Sequence, residues 1–348
     1  MNGLVFHGVR DVRVESVPDP RIVEPADAIV RVERAAVCGS DLHVWHGRER
    51  GLDPGTVLGH EFVGHVVEIG PAVRRFARGA RVVSPFTTSC GACFFCRNGL
   101  TARCARSQLF GWVAGGHGLH GGQAELVRVP LADSTLVALP EAFPAETALL
   151  LGDVLPTGWY CAERAGVARG GTCAVVGCGP VGPMAVVAAR ELGASAVWAI
   201  DGVPERLAQA ERFGATPLPA AGHDVAALVR EATEGRGVDA VLEAVGNAAS
   251  HRTAIDLVRP GGTISVVGVH NEAEFPFTPA ELYDRNLTYR VGRCPARHLI
   301  EPLLAWVLAG RVDIGAVFTH RMPLADGLEA YRIFDAKEDG CVKVALAP

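Results

Sequence analysis

The stretch TCAVVGCGPVGPMAVVAARELGASAVWAID, residues 172–201, decides the architecture of half of this chain. TCAVV is a short apolar run that reads as a buried strand. Gly177, Gly179 and Gly182 follow it in the order G-x-G-x-x-G. PMAVVAAREL then has the length and composition of a helix and stops at Gly193. AVWAID is a second strand, closing on Asp201, 19 positions after Gly182. A glycine turn alone is a weak signal. Strand, turn, helix and strand ending in an acid form the context of a dinucleotide site. Gly177 permits the tight turn, Gly179 lets the backbone approach a pyrophosphate, and Gly182 lets the helix lie close to the strand. Pro180 and Val181 complete the turn at the helix N-terminus, which would face the phosphates. Asp201 would accept hydrogen bonds from both ribose hydroxyls and repel a 2′-phosphate, which predicts NAD over NADP. Arg206 weighs slightly against this, since it could approach a 2′-phosphate or lie over the adenine.

Working outward, ERLAQAERFGA (205–215) continues as helix, and VDAVLEAVG (238–246) and GGTISVVGV (261–269) as apolar strands. Strand alternating with helix predicts βαβ units, hence a doubly wound parallel sheet covered on both faces. The N-terminal part differs. AIVRVERAAV (28–37), FVGHVVEIG (62–70), ARVVSPF (80–86) and AELVRVP (124–130) are short strands separated by turns, which predicts a mainly β, partly closed barrel. PAETALLLGDVLPTGWYCAERAGV (144–167) has a helical period, and CVKVALA (341–347) reads as a strand that could rejoin the first part. The expected division is residues 1–155 with 296–348, and a dinucleotide-binding Rossmann domain over 156–295.

The chain has 348 residues, 49% of them hydrophobic and 20% charged, with a formal net charge of -5, as expected of a globular protein with a sizeable core. The absence of a basic stripe argues against nucleic acid and anionic membrane as partners. The sequence shows no secretory h-region and no spanning apolar run, so a cytoplasmic, reducing location is expected. There, ten cysteines are read as metal ligands or buried small residues before disulfides.

CGACFFCRNGLTARC, residues 90–104, sets Cys90, Cys93, Cys96 and Cys104 in C-x2-C-x2-C-x7-C. An iron–sulfur cluster of the bacterial type would need a C-x3-C-P ending, which is missing. Four soft thiolates on one loop suit a closed tetrahedral structural zinc, and such a site has no open position for substrate. The chemistry must therefore lie elsewhere. CGSDLH (38–43) and GHEFVGHVVEIG (59–70) offer Cys38 and His60, suited to zinc. Spacing alone leaves this open, because a free Cys is more often simply buried.

GHExxGxVxxxG, the four-cysteine loop and the glycine fingerprint, in that order, resemble the zinc-dependent medium-chain alcohol dehydrogenases over essentially the whole chain. The resemblance implies an α/β protein: a GroES-like, mainly β catalytic domain split in sequence around the Rossmann domain. It also implies two zincs per chain, one catalytic and one structural, with NAD as cofactor. Cys38 and His60 match the first two catalytic zinc ligands, and Glu61 matches a residue able to approach that zinc. LLGDVLPTG places Asp153 at the third ligand position, similar to the bacterial secondary-alcohol and formaldehyde dehydrogenase branches. The E-P-L stretch of the polyol branch is missing. Ser40 and His43 match a proton relay, Thr157 a residue lining the nicotinamide pocket, and Lys343 a basic residue reaching the pyrophosphate.

The implied reaction is reversible hydride transfer from a primary or secondary alcohol to NAD, giving an aldehyde or ketone. A formaldehyde dehydrogenase or dismutase is the alternative, and a polyol dehydrogenase comes third. A binding protein that has lost catalysis would show a damaged ligand or relay, and none is visible. The partners implied are a small alcohol or carbonyl and further copies of the chain, as a tetramer before a dimer.

Overall fold

The computed structural model describes residues 1–348 and divides into two compact units, Met1–Pro156 with Pro295–Pro348, and Thr157–Cys294. No helix is long and apolar enough to cross a membrane.

In the first unit the organising element is the ten-residue strand Ala28–Val37. It pairs antiparallel with Phe62–Ile69, with Leu126–Val129 and with the C-terminal strand Val344–Ala347. CVKVALA thus does return to the N-terminal part. Alternation along Ala28–Val37 sends Val30 and Val32 into a core with Leu4, Phe62, Phe110, Tyr331 and Phe334. The register aligns the strand ends. Val37 lies opposite Val344 and Ala35 opposite Phe62, so Cys38, Glu61 and Lys343 each sit one step beyond a paired residue. Three chain segments therefore converge at one end of this sheet.

The helical stretch expected over 144–167 is two helices, Ala145–Gly152 and Val154–Ala165. They break at Asp153, whose φ of -150° and ψ of -68° are not helical. Gly152 explains where the first helix docks. A Cβ there would run into the Ser84 carbonyl oxygen, so only glycine lets the helix end approach the Ser84 backbone so closely.

The second unit is a six-stranded, wholly parallel sheet. Its order is Thr216–Pro219, Ala196–Asp201, Thr172–Val176, Val238–Glu243, Val258–Val266, Thr288–Val291. In chain order this is 3-2-1-4-5-6, the doubly wound order in which a dinucleotide lies across the point where the winding reverses. That point is next to the glycine turn, between the strands Thr172–Val176 and Val238–Glu243. The helix Val181–Glu191 packs on this sheet with Met184 through Ala189 buried.

Gly177 has φ +90°, and a Cβ on Gly182 would fall against the Gly177 carbonyl oxygen. The group met at Gly182 is backbone, so it cannot rotate away. Gly182→Ala should therefore destabilise the protein by about 2 kcal/mol, read as a lower urea midpoint at unchanged m-value, and should weaken dinucleotide binding measured by NADH fluorescence.

Candidate active site

Cys38, His60, Glu61 and Asp153 bring their ligand atoms to within 4.8 Å of one another at the end of the first unit's sheet. Cys38 Sγ is 3.7 Å from Asp153 Oδ2, and His60 Nε2 is 3.4 Å from the same oxygen. The Ser40 hydroxyl lies 3.3 Å from Cys38 Sγ and 3.4 Å from His60 Nε2. The Asp153 side chain is 13% exposed; it is not a helix-surface carboxylate, because the helix breaks to turn it inward.

The electrostatics of this cluster suit a cation. Burial pushes the Cys38 thiol up, and the charges of Asp153 and Glu61 push it further. Burial likewise raises Glu61 against the lowering effect of Lys343. Burial alone would depress His60, but Asp41, Cys38 and Asp153 carry it well above its ordinary value. Each shift reports an excess of negative charge in a dry place. Glu61 Oε2 is buried with no hydrogen-bond partner. A cysteine sulfur, an imidazole and a carboxylate converging beside an orphaned carboxylate oxygen are a fitting donor set for a zinc ion with an open position. Cys38, His60 and Asp153 would hold it, with Glu61 adjacent.

Two placements were not legible in the sequence. Asp41 Oδ1 lies 3.3 Å from His60 Nδ1, so Nδ1 carries the proton and Nε2 keeps its lone pair for a metal. The acid stands three residues after Cys38, and that spacing was the available signal. Lys343 corrects an expectation. It is not directed to a pyrophosphate: it is fully buried, with Nζ donating to Glu61 Oε1 at 2.6 Å and to the Val37 carbonyl at 3.1 Å. The strand register that seats Lys343 beside Cys38 is the cause.

Ser40 and His43 fall at the start and within the short helix Asp41–Trp45. Burial holds the His43 imidazole below its ordinary value, with the Arg48 charge adding to this, so it is neutral at pH 7 and able to accept a proton. Phe86 sets its ring edge-on to His60 at 6.5 Å, while Trp45 is buried in the core against Tyr331.

The four loop cysteines form the second cluster, again with all ligand atoms within 4.8 Å. Backbone amides point at the sulfurs: Cys90 N at Cys104 Sγ, Cys93 N at Cys90 Sγ and Arg106 N at Cys104 Sγ. Amides of Cys96 and Ala105 hold the Cys93 thiol down at about 6. Burial pushes Cys96 up to about 12 and raises Cys104 as well, so the amide cradle favours the thiolate at Cys93 and Cys90; four cysteine sulfurs this close suit a closed tetrahedral zinc. The other cysteines, Cys161, Cys173, Cys178, Cys294 and Cys341, are all buried.

In the second unit the Cα of Gly179 faces open space, with only the Arg206 guanidinium as near as 3.9 Å to where a Cβ would sit. Asp201 accepts from Cys178 N at 2.7 Å and Val203 N at 2.9 Å, which pins its carboxylate beside the glycine turn. Arg206 Nε is buried and unpartnered. Pro180 and Val181 lead into the helix, and Thr157 is buried in Val154–Ala165.

Comparison with known proteins agrees with both units. Residues 24–141 match the alcohol dehydrogenase GroES-like domain, and residues 180–309 the zinc-binding dehydrogenase domain. Zinc-type alcohol dehydrogenase B of Aspergillus flavus is 40% identical over 97% of this chain and 79% of its own. The NADP-dependent isopropanol dehydrogenase of Thermoanaerobacter brockii is 35% identical over 92% of each chain. Among solved structures, an alcohol dehydrogenase from Thermus sp. ATN1 superposes with a TM-score of 0.93 at 40% identity, covering 100% of this chain and 99% of that one. The chain belongs to the zinc-dependent medium-chain alcohol dehydrogenase family, oxidoreductases built from a GroES-like and a Rossmann-type domain.

Proposed function

We propose that this protein is an NAD-dependent alcohol dehydrogenase that interconverts primary or secondary alcohols with their aldehydes or ketones. The observation that carries this reading is the convergence of Cys38 Sγ, His60 Nε2 and Asp153 Oδ2, with the Ser40 hydroxyl within 3.4 Å of two of them. A zinc held by these three residues would supply Lewis acidity, lowering the pKa of a bound hydroxyl toward neutrality. A nicotinamide cofactor would supply the hydride acceptor.

The chain's own residues do the rest. Ser40 Oγ takes the proton released by the substrate hydroxyl while passing its own onward, since a hydroxyl both accepts and donates. His43, neutral because burial depresses it, is the acceptor that hands the proton to solvent. Asp41 keeps His60 in the tautomer that presents Nε2. The pinned carboxylate of Asp201 supports NAD, since it would repel a 2′-phosphate. Arg206 and the NADP-dependent T. brockii relative stand on the other side, so the two cofactors must be compared directly.

The first test follows NADH formation over short primary and secondary alcohols, formaldehyde and sorbitol, with NADP in parallel and metal content read by atomic emission. Activity with NAD on simple alcohols and two zincs per chain are expected. A rate with NADP above that with NAD, or turnover confined to formaldehyde, would sink the reading in that respect.

Removing one ligand, as in Cys38→Ser or Asp153→Asn, should lower kcat/KM by about 1,000-fold, the loss of about 4 kcal/mol of transition-state stabilisation. One zinc per chain should remain in each variant. His43→Gln should lower kcat by about 10- to 100-fold, with partial rescue by added imidazole. Because the His43 pKa lies below the ordinary histidine value, the wild-type kcat should fall only as the pH drops below about 6.5, and that acid limb should vanish in the variant.

A further inference from the structure

Gln123 and Tyr331 are buried polar residues outside both the ligand set and the proton relay, and both are wholly sealed from solvent. They come from distant parts of the chain. Gln123 precedes the strand Leu126–Val129, and Tyr331 lies in the helix Gly327–Ala336 near the C-terminus. The Tyr331 hydroxyl donates to Gln123 Oε1 at 3.0 Å. Gln123 Nε2 donates to the Ala36 carbonyl at 3.0 Å and to Asp41 Oδ2 at 3.3 Å. Asp41 Oδ2 also accepts from Cys38 N at 2.9 Å, and Asp41 Oδ1 faces His60 Nδ1 at 3.3 Å.

We infer that Gln123 and Tyr331 are positioning residues for the metal ligand His60, acting through Asp41. The inference rests on the zinc site formed by Cys38, His60 and Asp153. Donor and acceptor chemistry dictates the chain's polarity at every link. For Nε2 of His60 to offer a lone pair, Nδ1 must carry the proton and Asp41 must accept it as a carboxylate. A buried carboxylate needs donors, and it has two on Oδ2, the Cys38 amide and the Gln123 amide. Gln123 can direct its NH₂ at Asp41 only with its oxygen turned the other way, where a donor is required. Tyr331 is that donor. Burial, and next the charge of Asp41, hold its phenol well above the ordinary value, so it keeps its proton. The alternative orientation of Gln123 would set Oε1 against the Ala36 carbonyl and Asp41 together, two acceptors facing a third. A hydroxyl from the C-terminal helix thus fixes which nitrogen of His60 carries the proton and which keeps its lone pair.

The test measures zinc affinity by competition with a chromophoric chelator, on the full-length protein, with the four-cysteine zinc as internal reference. Gln123→Leu removes the amide, and Tyr331→Phe removes one oxygen. Gln123→Leu should weaken the Cys38/His60/Asp153 site by about 10- to 100-fold, and Tyr331→Phe by about 3- to 10-fold, leaving the four-cysteine site unchanged. In cobalt-substituted protein the visible d–d bands of the catalytic site should shift in both variants. Wild-type affinity and an unshifted cobalt spectrum in both variants would overturn the inference, even if their melting temperatures fell, because a packing role alone would do that. Should Gln123→Leu fail to fold, Tyr331→Phe decides by the same two readouts. Failure of the underlying zinc reading looks different: wild-type protein would then hold one zinc, and Cys38→Ser would leave that content unchanged.

Discussion

Cys38, Glu61 and Asp153 bring three acidic side chains into one small, dry volume together with a single imidazole. Two like charges a few ångströms apart repel strongly where water cannot screen them. The surroundings answer this constraint in two ways. Lys343 is buried to offset Glu61, and the remaining donors are arranged to accept a divalent cation. Breaking a buried pair such as Lys343–Glu61 would leave an uncompensated charge, which is far more damaging than the pair itself is stabilising. The C-terminal strand is thus tied to the site by electrostatics as well as by its sheet pairing.

The sheet supplies the geometry. Its central strand ends at Val37, its neighbour begins at Phe62, and the returning strand begins at Val344. Because register in a sheet is discrete, a slip of one residue would turn each of these side chains to the opposite face. The position of Cys38 relative to His60 and Lys343 is therefore as well determined as the core packing of Val30, Val32 and Phe62. Asp153 arrives by another route, at the broken end of a helix that Gly152 allows to dock against Ser84.

On the proposed reading the second unit meets a different demand, the binding of an anionic cofactor without a cluster of cations. A glycine turn leads into a helix N-terminus, whose unpaired amides and dipole favour a phosphate. The strand Thr172–Val176 lies where the winding of the sheet reverses, which opens the crevice above the turn. Cys178 N and Val203 N hold the carboxylate of Asp201 at that edge.

Motifs whose members are close in sequence were legible from the residues alone. The glycine fingerprint in its strand–turn–helix context and the four-cysteine loop each state their chemistry by spacing, and periodicity distinguished the parallel sheet from the β-rich part, whereas Cys38, Ser40, His60 and Glu61 took their roles from the family resemblance. What spacing could not supply was the meeting of distant residues. Only the fold brings Asp153 to Cys38 across 115 positions, or breaks one predicted helix into two so that it can. Only the fold decides that Lys343 is a buried partner of Glu61, 282 positions away, and that Tyr331 addresses Gln123 across 208. Local patterns record backbone needs and ligand types, which act over a few residues. Charge compensation and hydrogen-bond polarity act through space, and strand register and helix docking determine which side chains they join.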